Sequence, residues 1–170
     1  MQAEQLRALQ APLKEKYRAE PEAALITLRA QGRLGEGVTC KVETGKALVE
    51  AGLHPATGGD GFAACSGDML LEALVTCAGV TLRAVATAIG VEVRDGTVSA
   101  EGDLDFRGTL GVSKEAPVGF QRIRLRFYLE TDASQEQLDT LIRLAERYCV
   151  VYQTLRRSPE LTISCDVGTS

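Results

Sequence analysis

One long apolar segment, residues 66–90, limits what this chain can fold into more than any other feature. Its apolar side chains recur on nearly every side of the helix that their spacing predicts, so the helix must be buried on most of its surface. Asp68, Glu72 and Arg83 interrupt the segment, which favours a core helix over a membrane span. Gly90 is the expected left-handed C-cap. We therefore expect a domain built around one buried helix, with no transmembrane segment.

Strand patterns lie on both sides of this helix. Residues 91–105 and 121–131 alternate apolar and polar side chains, as strands with one solvated face do. Earlier in the chain, residues 24–30 and 38–42 flank a stretch rich in glycine. Residues 47–49 follow the Thr44-Gly45 turn, and the whole arrangement predicts an antiparallel meander. Residues 161–167 alternate again and predict a half-buried final strand.

Two further helices complete the predicted order. Residues 1–18 carry leucines at helical spacing and predict a marginal amphipathic helix, interrupted by Pro12. A later apolar stripe predicts a helix that is capped by Asp132 or Ser134. Antiparallel strands with segregated helices indicate the α+β class.

The domain organisation follows from length and from the absence of internal breaks. The chain has 170 residues, enough for one ordinary domain, and its sequence contains neither an internal linker nor a repeat. We expect a single domain over residues 1–170, with residues 1–20 as a helical N-terminal extension.

Charge and composition exclude several functions. The 19 Lys and Arg residues against 23 Asp and Glu residues give a net charge of −4, and no basic cluster suits a nucleic-acid partner. The N-terminal residues lack the apolar core of a secretory signal, so we expect a cytoplasmic protein with no membrane partner. A single histidine, and cysteines without short paired spacings, argue against a metal site.

Thiols are the remaining candidates for chemistry. An odd set of five cysteines in a reducing compartment indicates free, catalytic or merely buried thiols. Cys77 falls inside the long helix and Cys149 ends the later one. A buried helical cysteine is most often inert packing, and a reactive one needs a neighbouring cation to favour its thiolate. Arg33, in a glycine-flanked turn, is the first candidate, and Arg29 and Arg83 are the others.

A resemblance adds to this interpretation. The sequence from Ser66 to Cys77, the segment Gly90-Val91-Glu92-Val93, an Arg107-Gly108 pair and the sequence from Ala145 to Cys149 resemble the OsmC/Ohr family of osmotically induced and organic hydroperoxide resistance proteins. The resemblance implies an intertwined α+β homodimer, with antiparallel sheets around a long buried central helix and active sites at the subunit interface.

The resemblance also implies an enzyme activity, the reduction of organic hydroperoxides to alcohols. Cys77 would be the peroxidatic thiol that becomes a sulfenic acid, and Cys149 would resolve it to a disulfide. A dithiol reductant, in this family a lipoylated protein, would then restore both thiols. No bound cofactor is implied.

The chain departs from the family pattern around the first cysteine. Arg33 is similar in its sequence context to the family's activating arginine. The family's glutamate is not matched, because Ser66-Gly67-Asp68 replaces its segment, and Asp68 or Glu72 are the candidate substitutes. This gap leaves an alternative open, a non-catalytic OsmC-like dimer that binds a ligand or senses redox state.

Overall fold

The computed structural model describes residues 3–34, 40–42, 52–62 and 64–165. These residues form five helices and four strands. The helices are α1 (Ala3–Ala19), α2 (Ser66–Ile89), α3 (Phe106–Thr109), α4 (Gln135–Tyr148) and α5 (Val150–Arg156). The strands are β1 (Leu25–Leu34), β2 (Cys40–Val42), β3 (Asp95–Asp105) and β4 (Phe120–Glu130). Short 3-10 turns lie at Pro21–Ala24 and Pro55–Thr57. The predicted α+β class is confirmed.

The four strands form one antiparallel sheet in the order β2-β1-β3-β4. The N-terminal strand β1 is central, and its register pairs Leu25 with Asp105. The register between β3 and β4 is irregular between Asp103 and Leu104. The predicted N-terminal meander is confirmed for β1 and β2, whereas residues 47–49, which belong to the same prediction, lie outside the described residues.

The core lies between the sheet and α2, with α4 packed against the same helix. β3 alternates buried and half-buried residues, as a strand with one face on a core does. The largest fully buried side chains come mainly from α2, β3 and α4: Leu71, Leu74, Val75, Leu82, Val98, Leu141 and Cys149. Both candidate cysteines are therefore carried by elements that meet in the core.

α2 matches its prediction closely, and it ends at Gly90 with φ 71°. By length and composition it could cross a membrane, but core helices share these properties, and eight of its residues are buried within the protein. Within one chain, only one face of α2 is buried. The opposite face stays exposed and is largely apolar, with Met69, Leu70, Ala73, Ala84, Ala88 and Ile89.

The predicted final strand is wrong for the residues that the structure describes. Residues 157–165 have no regular secondary structure, and Leu161 and Ile163 are 80% and 98% exposed. Alternation makes a strand only where a neighbouring strand accepts its backbone hydrogen bonds. None of the described strands pairs with this segment.

The predicted N-terminal helix forms, but Pro12 lies inside it and does not interrupt it, and the helix is anchored to the body of the protein. Tyr17 is buried, and its hydroxyl donates to the carbonyl of Ala56 at 2.6 Å. The side-chain amide of Gln10 donates to the carbonyl of Thr57 at 3.2 Å. α1 thus packs on the turn that precedes α2.

Candidate active site

Cys77 and Cys149 lie side by side. Cys77 occupies the middle of α2 and is half-buried, whereas Cys149 is 1% exposed. Each thiol shifts the pKa of the other, and both thiols are free. The fold therefore brings together two cysteines that are separated by most of the second half of the chain.

Cys149 forms a one-residue corner between α4 and α5. Its backbone is extended, with φ −72° and ψ 107°, and it is the C-cap of α4 as well as the N-cap of α5. Its N–H donates to the carbonyl of Ala145 at 3.0 Å. Its sulfur accepts the backbone N–H of Tyr152 at 3.5 Å. The corner fixes the sulfur beside α2.

The environment of Cys77 favours its thiolate. Burial raises the pKa of this thiol. Hydrogen-bond donors near the sulfur lower the pKa and outweigh burial: the backbone N–H of Val151, the Cys149 thiol, the Thr81 hydroxyl and the N–H of Val150. The pKa of Cys77 therefore lies below its ordinary value. Donors to the charged form do here what a neighbouring cation was expected to do.

Cys149 is shifted in the opposite direction. Burial is the main cause that raises its pKa, to about 11, and its interaction with Cys77 raises it further, although the Tyr152 N–H opposes the shift. One sulfur is thus prepared as a nucleophile, while the other stays a protonated donor beside it. Once such a thiolate has been oxidised to a sulfenic acid, the neighbouring thiol can condense with it to a disulfide, with release of water.

Arg33 does not occupy the predicted turn, and this prediction is wrong. β1 continues through Gly32 and Arg33, and Arg33 pairs with Thr97 of β3 in the sheet register. The side chain is 71% exposed, and its guanidinium binds the carboxylate of Asp95. This contact holds the pKa of Asp95 below its ordinary value. The role of Arg33 as the activating cation stays a prediction.

The two acidic candidates lie on α2, before Cys77. Asp68 is half-buried in the first turn, where burial raises its pKa and the nearby His54 opposes the shift. An ideal helix places Asp68 about 13.5 Å along the axis and about 180° around it from Cys77. Glu72 lies about 7.5 Å and about 140° from Cys77 by the same geometry. Their roles as acidic partners stay predictions.

The other cysteines are dispersed. Cys65 is half-buried immediately before α2, and Cys165 is exposed in the C-terminal segment. Cys40 lies in β2, and its side chain is outside the described part. Among the described residues, no group of three His, Cys, Asp or Glu side chains is arranged to hold a metal ion.

An apolar cavity lies beside Cys149, and a second lies next to the first. A cavity of about 200 Å³ lies between β4 and α4, with Cys149, Ala78 and Phe127 in its wall. A second cavity, of about 330 Å³, continues towards Arg156. Leu125 and Tyr152 line both cavities, and the two neighbouring cavities together are called here the β4–α5 groove.

Sequence reasoning missed the donors to Cys77. The Thr81 hydroxyl could have been predicted from the sequence, because a residue four positions after Cys77 in a helix lies on the same face. The N–H groups of Val150 and Val151 could not, because a backbone contact between distant segments leaves no pattern in the sequence.

Comparison with known proteins identifies the family of this chain. The sequence pattern of the family described as "OsmC-like protein" matches residues 58–164, which include both cysteines and more than half of the chain. The chain belongs to the OsmC-like protein family. A search of curated proteins finds no match.

Solved structures of OsmC-like proteins share the fold. An OsmC-like hydroperoxide resistance protein from Jannaschia sp. CCS1 is 22% identical, with a TM-score of 0.62 over 86% of this chain and 97% of that one. The OsmC-like protein from Mycoplasma pneumoniae is 14% identical, with a TM-score of 0.55 and coverages of 79% and 86%. The organic hydroperoxide resistance protein OsmC from Legionella pneumophila is 17% identical, with a TM-score of 0.53 and coverages of 78% and 90%.

Proposed function

We propose that this OsmC-like protein is a thiol peroxidase that reduces organic hydroperoxides to alcohols. The observation that carries the proposal is that the fold brings Cys77 and Cys149 together, with the pKa of the first thiol lowered and that of the second raised. Membership of the OsmC-like family, whose solved members include hydroperoxide resistance proteins, supports it. The β4–α5 groove supplies an apolar approach for the organic part of the substrate.

The chemistry balances with these two residues and a dithiol. The Cys77 thiolate attacks the hydroperoxide oxygen that carries the hydrogen, the O–O bond breaks, and the leaving alkoxide takes a proton to become an alcohol. Cys77 is then a sulfenic acid. Cys149 attacks its sulfur, a disulfide forms, and the hydroxyl leaves as water. A dithiol donor, which we infer to be a lipoylated protein, reduces the disulfide and is itself oxidised.

A homodimer is part of the proposal. The exposed face of α2 carries Met69, Leu70, Ala73 and Ala84, and a helix face of this kind is buried in stable proteins. We infer that a second copy covers it, as the family resemblance implies. We expect the purified protein to elute as a dimer and Ala84→Arg to elute as a monomer, whereas Ala11→Arg, on exposed α1, stays dimeric. A monomeric parent protein would contradict this inference.

Arg33 and the acidic pair remain part of the proposed site. In the family-like dimer, Arg33 would serve as the activating cation, and Asp68 or Glu72 as its acidic partner. We also retain the cytoplasmic location that the N-terminal composition favours. If Arg33→Gln turns over hydroperoxide at the parent rate, the donors to Cys77 suffice without this cation.

Turnover of cumene hydroperoxide in the presence of excess dithiothreitol tests the peroxidase proposal. We expect repeated cycles in the parent protein, no turnover in Cys77→Ser, and full turnover in Cys165→Ser, which removes an exposed thiol away from the site. Peptide mapping after one equivalent of peroxide should give a Cys77 to Cys149 disulfide. Turnover that survives in Cys77→Ser would end the proposal.

A second candidate function is redox sensing or ligand binding without turnover. The observation that favours it is the engagement of Arg33 by Asp95, together with the unmatched glutamate. In that case one equivalent of peroxide oxidises the two thiols once, and added dithiol does not sustain consumption. Dithiol-dependent cycling excludes this alternative.

A further inference from the structure

The corner that carries Cys149 is fastened by contacts centred on one acidic side chain, Glu146. Its carboxylate binds the guanidinium of Arg156 and lies near the hydroxyl of Tyr152, whose pKa is raised by burial and by this carboxylate. Its backbone carbonyl accepts the side-chain amide of Gln153 at 2.8 Å. Glu146 lies in the last turns of α4, whereas its three partners belong to α5. All three contacts therefore act across the corner at Cys149.

The same short helix supplies donors to Cys77. Val150 and Val151 begin α5, and their N–H groups lie near the sulfur of Cys77, where they lower the pKa of its thiol. One extended residue joins the two helices, so the angle between them depends on contacts made elsewhere. The only side-chain carboxylate among these contacts is that of Glu146, within the part of the chain that the structure describes.

We propose that Glu146 is a positioning residue, whose carboxylate ties α5 to α4 through Arg156 and Tyr152 and so holds the N–H groups of Val150 and Val151 near the sulfur of Cys77. The inference rests on the proposed function and deepens it, because it assigns the preparation of the nucleophile to an ion pair outside the family's arginine and glutamate positions. Glu146 acts through α5 and does not touch the reacting sulfur.

Because charged residues surround Glu146, the sign of the Cys77 pKa shift can distinguish a through-space charge effect from positioning of α5. Arg143, Arg147 and Arg157 line the same surface cavity as Glu146 and Arg156. If these charges act on Cys77 through space, loss of Glu146 lowers the pKa of the thiol and loss of Arg156 raises it. If the pair acts by positioning α5, loss of either partner raises the pKa. The two explanations therefore differ in direction.

The experiment is a titration of the Cys77 thiolate by its ultraviolet absorbance in the reduced protein, with Cys77→Ser as the baseline. We expect Glu146→Gln and Arg156→Gln each to raise the pKa by about half a unit, which lowers the thiolate fraction about threefold below the pKa. The pair is 58% and 39% exposed, which limits the effect to this size. Arg156→Lys should restore most of the shift, and Arg157→Gln should leave the pKa unchanged.

Shifts of opposite sign in Glu146→Gln and Arg156→Gln would overturn the positioning role, as would the absence of any shift in both. The titration needs no peroxide, so its outcome does not depend on turnover. If the parent protein turns over peroxide but both variants titrate like the parent, only the positioning role of Glu146 is refuted. If both variants shift the pKa but the parent protein never turns over peroxide, only the peroxidase proposal is refuted.

Discussion

The effect of the Cys149 thiol on the pKa of Cys77 leads to a quantitative prediction for Cys149→Ala. The variant removes one thiol donor from the Cys77 thiolate and leaves the N–H groups of Val150 and Val151 in place. Hydrogen bonds to charged groups contribute about 1.5 to 3 kcal/mol, and a thiol is a weak donor, so the lower end applies. About 1.4 kcal/mol corresponds to one pKa unit. We therefore expect the pKa of Cys77 to rise by about one unit.

The assay is the pH dependence of thiolate absorbance in the reduced protein, checked by the rate of alkylation with iodoacetamide. Cys149→Ser is the matched control, because its hydroxyl keeps a donor at the same position, and we expect it to titrate close to the parent protein. The reasoning is refuted if Cys149→Ala titrates at or below the parent pKa. It is also refuted if the serine and alanine variants shift equally.

Three further predictions concern stability and are measured by urea unfolding. Asp105 is buried and bound by Arg107, which holds its pKa below the ordinary value, so Asp105→Asn should cost about 2 kcal/mol. This contribution is complete above the ordinary carboxyl pKa and is lost as pH falls through the lowered one, so the parent and the variant should converge in acid. Gly108→Ala places a Cβ 2.7 Å from two backbone carbonyl oxygens. It should destabilise the protein more than Gly90→Ala, which meets no nearby atom and costs only about 1 kcal/mol for placing a non-glycine residue at positive φ. Ser134→Ala removes a capping box and should cost about 1 kcal/mol, and an unchanged midpoint would contradict that account.

Sequence patterns predicted the elements whose signals are local. The all-round apolar spacing and Gly90 located α2, and the alternation from Ile123 to Leu129 located β4. Ser134, one of two predicted caps, does cap α4. Each of these signals depends on neighbours a few residues away, which the sequence shows directly.

The failures involve contacts between distant segments. Arg33 follows a glycine that suggests a turn, yet pairing with Thr97 of β3 keeps it in a strand. Residues 161–165 alternate as a strand does, but pairing requires an edge to lie beside them, and alternation does not say which edge. The meeting of Cys77 and Cys149 came from family resemblance, since nothing in the spacing of the two residues indicates it. Local features could be predicted from the sequence, whereas contacts between distant segments could not.

The central position of β1 has a consequence for synthesis on the ribosome. Its long partner, β3, begins at Asp95, after the whole of α2 has been made. At about 5 to 20 residues per second, β1 waits about 4 to 14 seconds, and the apolar α2 about 1 to 3 seconds, for the strand that completes their shared core. Throughout that interval, the nascent chain exposes its most apolar helix without a finished sheet to cover it. We expect the emerging chain to depend on holding chaperones until β3 has left the exit tunnel.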